Sequence, residues 1–140
     1  INLGKTMILK NLKLIKQGTI IRKKQDPTKF IEYWNKRTIE DGKINWKYLS
    51  NHIYKLVRAT TKPYPGAFTF FQNKKIKIWK ALLTTKMSSK PGEILKINDL
   101  GVFVGTGDKM LIIQDVSFEN DIQIKANKLF SENDIGYILE

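Results

Sequence analysis

Apolar positions along this chain change their period once, near residue 63, and the change separates a helical part from a stranded part. From Lys5 to Gln17 the residues Met7, Ile8, Leu9, Leu12, Leu14 and Ile15 cover a wide arc of a helical wheel, with Lys10, Lys13 and Lys16 opposite. Gly18 is suited to stop that helix. So broad an apolar face needs a sizeable surface to pack on. Thr19 to Lys24 reads as extended and ends in the cationic run Arg22-Lys23-Lys24. Thr28 to Ile39 mixes Phe30, Ile31, Tyr33 and Trp34 with Lys29, Lys36 and Arg37 and holds no period, which predicts an ordered but irregular linker. Glu40-Asp41-Gly42-Lys43 predicts a turn with Gly42 at positive φ, followed by a short extended Ile44-Asn45-Trp46. Ser50 is placed to cap a helix over residues 51–60, Leu49 and Tyr54 to staple it, and Ile53, Leu56 and Val57 to form its buried stripe.

Thr61-Lys62-Pro63-Tyr64-Pro65-Gly66 ends that helix, because each proline excludes the helical region for the residue before it. The expected path is extended from Lys62 to Pro65, with a bend at Gly66 and Tyr64 on a stiff hinge. Beyond it the pattern alternates. Strands are predicted at residues 67–72 and 75–82, joined by a tight turn at Asn73-Lys74. In the second, Ile76 and Ile78 share one face while Lys75, Lys77 and Trp79 share the other, a basic face carrying an indole. That face suits either phosphate attraction with base stacking or a solvated strand whose lysines block aggregation. Leu83 to Pro91 reads as a polar loop. Further strands are expected at residues 93–97, 102–105 and 110–116, then alternation at Ile122-Gln123-Ile124 and an amphipathic turn around residues 126–130. The fold class is therefore mainly β: a small barrel preceded by an N-terminal helix, an extended linker and one further helix.

Composition narrows the chemistry. The chain has 140 residues, of which 41% are hydrophobic, enough for one packed core. No stretch approaches a membrane span. Cysteine is absent, which removes disulfides, thiol nucleophiles and thiolate metal sites and fits a reducing cytoplasm, and a single histidine removes a histidine-rich metal site. Charge is unevenly placed: residues 1–80 hold 19 Lys or Arg against 4 Asp or Glu, a net +15, and residues 81–140 hold 6 against 9, a net −3. The first part suits an anionic partner, although lysines on solvated faces give the same count. His52, in the first turn of the second helix, has no carboxylate or serine neighbour in sequence to make it a base. The glycines at 101, 105 and 107 lack the spacing of a phosphate loop. Arg58, one turn before the hinge, is placed to hold carbonyls or an anion.

Glu40-Asp41-Gly42-x-Ile44-x-Trp46, then Ile53 and Val57-Arg58-Ala59, then Pro63-Tyr64-Pro65-Gly66-Ala67-Phe68, then Lys75-Ile76-Lys77-Ile78-Trp79-Lys80-Ala81, stand in an order and spacing with a known counterpart. The string resembles the C-terminal domain of the 10-formyltetrahydrofolate-dependent formyltransferases, a group that includes methionyl-tRNA formyltransferase and the nucleotide-sugar formyltransferases. The similarity continues through Pro91-Gly92-Glu93-Ile94 and Thr106-Gly107-Asp108, and back to residues 12–18.

The resemblance implies a small open OB-like barrel over residues 45–140, a linker over 19–44, and a helix over 1–18 that belongs to a Rossmann-like catalytic domain absent from this chain. The opening Ile1 in place of Met fits that expectation. In the family a formyl group passes from 10-formyltetrahydrofolate to an amine, using an Asn-x-His motif and a downstream Asp in the N-terminal domain. That motif does not occur here, so the resemblance assigns no catalytic residue, no metal and no folate to this chain. What it implies is substrate holding, in the first place for initiator tRNA. Arg22, Lys23, Lys24, Lys74, Lys75 and Lys77 are the expected phosphate contacts, and Arg58, Tyr64, Gly66 and Phe68 the expected hinge or substrate-side residues. The hinge spelling fits the nucleotide-sugar branch as well, and a free-standing OB-like nucleic-acid binder remains a third possibility.

Overall fold

The computed structural model describes residues 2–24, 26–29, 35–88, 90–119 and 122–140. Phe30, Ile31, Tyr33 and Trp34 of the expected irregular linker, with Gln25, Ser89 and Asp121, lie outside the described residues. The chain forms two compact units, residues 1–35 and 36–140.

In the first unit, helix α1 spans Asn2–Lys16. It ends as the glycine predicts: Gly18 adopts φ +65°, and the Thr19 N–H donates to the Leu14 carbonyl at 3.1 Å. None of its residues is buried; Leu3, Met7, Ile8, Leu9 and Ile15 are all more than half exposed. Residues 19–24 follow as exposed coil, and a single 3-10 turn covers Pro27–Lys29.

The second unit holds the core. Helix α2 spans Ser50–Thr60, and strands β1 to β6 span Ala67–Phe71, Lys74–Met87, Ile94–Asn98, Gly101–Gly105, Lys109–Ser117 and Ile124–Lys125, with a one-turn helix α3 at Ala126–Leu129. All strand pairings are antiparallel, in the order β1-β2-β5-β4-β3, with β6 on β5 beyond β4. Period-two alternation sends Ile76, Ile78, Ala81, Val102, Val104, Leu111, Ile113 and Val116 inward, where Ile53 and Val57 of α2 meet them. The sheet is open, and residues 136–140 lie across the opening. Glu140 exchanges both backbone hydrogen bonds with Phe70 of β1, at 2.9 and 3.1 Å. On the other side Leu139 donates to the Gly92 carbonyl, and Ile94 exchanges bonds with Tyr137 and Gly136. This is the mainly β, barrel-like architecture expected from the sequence.

Several local expectations are corrected. Strand β2 runs on to Met87, so residues 83–87 are strand rather than loop; Leu83 pairs with Leu111 and Met87 with Lys109. The β1–β2 turn is Gln72-Asn73, one residue earlier than predicted, with φ of 49° and 63°, the paired left-handed geometry whose twist suits a two-residue hairpin. The hinge turns instead of running extended: Lys62-Pro63 is cis, Tyr64 N–H donates to the Thr61 carbonyl at 3.1 Å, and Gly66 N–H to Thr60 at 2.9 Å. Gly42 is not needed for positive φ. A Cβ there would stand 2.8 Å from the Gly66 carbonyl oxygen, so close approach of two loops selects it. Ser50 does not cap α2: its own N–H donates to Asp108 Oδ1 at 2.7 Å, and Leu49, exposed, holds the cap position itself, which moves it off the place expected for a staple.

Candidate nucleic-acid interface

One face of the β1–β2 hairpin gathers most of the residues that sequence singles out in the second unit. In the antiparallel register Phe68 stands opposite Lys77 and Phe70 opposite Lys75, so these four side chains share a face. Trp79 joins them two residues beyond Lys77, beside Gly66, whose φ is +91° and whose missing side chain leaves the indole room; a Cβ at 66 would stand 3.1 Å from the ring. The grouping of Lys75, Lys77 and Trp79 on one face is therefore correct. The exposure expected of the indole is not. Register with β5 shifts between Ile78 and Lys80, making Trp79 the extra residue of a β-bulge, and it is only 7% exposed. Its indole N–H donates to Ser117 Oγ at 2.8 Å. Phe68, expected on the substrate side, is 2% exposed and belongs to the floor.

Four ammonium groups cover that floor. Lys75 Nζ lies 3.7 Å from the centroid of Phe68, and Lys43 Nζ 5.3 Å from that of Phe70. Lys62 and Lys77 reach over Trp79 at 5.3 and 5.9 Å. Such contacts stabilise by about 0.5–1 kcal/mol each at exposed sites. More to the point, they bring the ammonium groups themselves over the rings, so that the basic charge of this face stands on its aromatic floor. Lys43 and Lys62 were not singled out from sequence: they come from the segment before α2 and from the hinge, and only the fold brings them to the hairpin. At the hairpin tip, Asn73, Lys74, Lys75, Phe118 and Glu119 line a recess of about 450 Å³.

The remaining candidates lie elsewhere. Arg58 does not hold carbonyls; its guanidinium lies 5.5 Å from the ring of Tyr54, one turn back on α2. Tyr64 projects from the hinge, 62% exposed. Arg22, Lys23 and Lys24 are exposed coil of the first unit. His52 packs its ring against Tyr48 with centroids 5.0 Å apart, and among the described residues no carboxylate is bonded to it. No cluster of metal-ligating side chains occurs among the described residues. None of their helices is long and apolar enough to cross a membrane.

At the turn between β4 and β5, sequence reasoning missed a structural role. Asp108 accepts from the Ser50 backbone N–H and, at 3.1 Å, from the Thr106 hydroxyl. The Ser50 N–H, with these hydroxyl and backbone donors, holds its carboxyl below the usual range against the opposing effect of partial burial. A cap 58 residues away leaves no local signal.

Comparison with known proteins agrees with this architecture. The family model described as "Formyl transferase, C-terminal domain" matches residues 36–134, nearly the whole second unit. The chain belongs to that family of formyltransferase C-terminal domains. It is 32% identical over 136 residues to the methionyl-tRNA formyltransferase of Alkaliphilus metalliredigens, covering 95% of this chain and 42% of that protein. It is 37% identical over 115 residues to the bifunctional polymyxin resistance protein ArnA of Wigglesworthia glossinidia brevipalpis, covering 74% of this chain and 17% of that one. The chain thus spans less than half the length of these relatives. Crystal structures of HypX from Aquifex aeolicus share the fold; that of its tetrahydrofolic acid complex superposes with a TM-score of 0.69 at 22% identity, over 89% of this chain and 22% of HypX.

Proposed function

We propose that this chain is the acceptor-holding part of a methionyl-tRNA formyltransferase, whose catalysis takes place on a preceding Rossmann-like domain that packs on α1. The observation that carries the reading is the covered-floor hairpin face, which offers cations across an open surface and suits a long polyanion better than a small enclosed ligand. Alignment with the Alkaliphilus methionyl-tRNA formyltransferase over 95% of the chain, α1 included, supports it. The apolar face of α1 fits a helix taken from a larger domain.

Formyl transfer needs a base for the attacking amine and donors for the developing oxyanion. Among the described residues no such set is assembled: His52 faces a tyrosine, and the Asp108 carboxylate is spent on the α2 cap. In this reading the 10-formyltetrahydrofolate is held by the catalytic domain of the whole enzyme. Here the work is electrostatic. Lys74, Lys75 and Lys77 on the hairpin, with Arg22, Lys23 and Lys24 on the linker, attract phosphates and hold the acceptor arm while its amine is presented elsewhere.

The test is equilibrium binding of deacylated initiator tRNA to this chain between 50 and 200 mM salt. Six phosphate contacts are expected to weaken binding about 10³-fold over that range. Absence of measurable tRNA affinity at low salt sinks the reading. A second reading, a nucleotide-sugar formyltransferase, is favoured by the hinge Pro63-Tyr64-Pro65-Gly66-Ala67-Phe68 and by the similarity to a relative named for polymyxin resistance. It is expected to show no tRNA affinity.

A further inference from the structure

We infer that the solvent face of α2, with Tyr48 just before it, is a stacking site for unpaired nucleotides, in which the Tyr48 ring lies under a base and Lys55 and Arg58 meet the phosphates that follow. The site uses none of the cations assigned above to the acceptor arm, and it takes a strand that is not paired. Stacking on a protein requires an aromatic face open to the incoming base. The buried rings of the hairpin offer none: Phe68 is 2% and Trp79 7% exposed. Tyr48 is 52% exposed even with the ring of His52 against it, centroids 5.0 Å apart.

The backbone that carries this ring is held from two sides. Tyr48 N–H donates to the Asn45 carbonyl at 3.1 Å, and the Tyr48 carbonyl accepts from Gly107 N–H at 2.9 Å. The β4–β5 turn comes so close that a Cβ at 107 would run into the Lys47 carbonyl oxygen, and Asp108 of the same turn holds Ser50 N–H. An exposed ring on an anchored backbone loses little freedom when a base lands on it. Beyond it His52, Lys55 and Arg58, all exposed, follow at three-residue steps on one side of α2, about 4.5 Å apart along the axis. No Asp or Glu occurs between Gly42 and Gly92, and among the described residues neither Lys55 nor Arg58 is in an ion pair. A protein partner is less well served. The exposed positions from 51 to 59 are Asn51, His52, Lys55, Arg58 and Ala59, and only Leu49, at the head, adds an exposed aliphatic chain, too little for the apolar centre of an interface.

The experiment titrates the full chain with oligoadenylate of about ten nucleotides and with an abasic strand of equal length, at several salt concentrations. The two strands carry the same phosphates, so only stacking separates them. Oligoadenylate is expected to bind more tightly by at least about fivefold. Tyr48→Ala is expected to abolish that difference and to leave the slope of log K against log salt unchanged, since no charge is lost; Tyr48→Phe keeps the difference. Lys55→Ala/Arg58→Ala is expected to keep the difference and to lower the slope by about 1.4. Thermal melting confirms that each variant is folded. Oligodeoxyadenylate run beside the ribose strand tells RNA from DNA as the source, and either preference supports the site. Equal binding of the adenylate and abasic strands overturns the inference and leaves the face to an acidic protein surface. A difference that survives in folded Tyr48→Ala also overturns it, as does a slope unmoved in the folded Lys55/Arg58 double variant. If tRNA does not bind while the adenylate difference stands, the acceptor reading falls and this site remains; if tRNA binds and the difference is absent, this site falls alone.

Discussion

Helix α1 and the hairpin face treat apolar side chains in opposite ways. On α1, leucines and isoleucines stand in solvent with their lysines pointing away from them. On the hairpin, Phe68 and Trp79 are as apolar, yet lysines from other segments cover them. The difference teaches what exposure means here. A surface that supplies its own cover is complete as it stands, and its charges are what it offers; a surface without cover offers the apolar groups themselves. The first suits a polyanion, the second another protein domain.

Core substitutions separate the two regions most strongly. Ile113→Ala, in a core site 1% exposed, is expected to destabilise by about 3 kcal/mol, whereas Leu9→Ala is expected to change stability by no more than about 0.5 kcal/mol. Denaturant melts of both variants make the check, and comparable losses would mean that α1 is packed. Gly66→Val is expected to cost about 1–3 kcal/mol, since it places a β-branched residue at positive φ against Trp79; an unchanged melting temperature would show that hinge and indole do not need each other.

The remote cap gives a smaller effect with a pH signature. Asp108→Ala is expected to cost about 1 kcal/mol at neutral pH. Because the folded pKa is depressed, the stability contributed by Asp108 is fully present above the unfolded value of about 4 and is lost as pH falls through the folded one. The melts of wild type and variant should therefore converge in strong acid. A gap that persists there contradicts the cap. Least of all for stability, Lys75→Ala is expected to cost about 0.5–1 kcal/mol, the value of a surface cation over a ring, and to reduce the salt slope of RNA binding by about one. A loss of several kcal/mol would mean that the lysine serves the core.

Much of this was legible in the order of residues. The α2 stripe, the β1–β2 alternation, the turns at glycines and the formyltransferase resemblance all follow from local pattern or spacing, and Ile53, Val57, Ile76 and Ile78 are buried where that pattern puts them. What escaped depends on residues far apart. Residues 83–87 look like loop because Thr84, Thr85 and Lys86 interrupt the apolar alternation, but backbone pairing to β5 makes them strand. Trp79 reads as an exposed indole until a bulge and Ser117 are known. Lys43 and Lys62 carry no sign in their own neighbourhoods of the rings they will cover. Asp108 looks like an ordinary turn residue, and nothing nearby says that it caps a helix.

The stitching of residues 136–140 across the open sheet has a consequence for self-association. Glu140 occupies hydrogen-bonding groups of β1 while Leu139 and Tyr137 do the same beside β3, so one short ribbon blunts two margins at once. Clipping those few residues would bare both rims together and turn a self-limiting particle into a template, able to recruit its neighbours rim to rim.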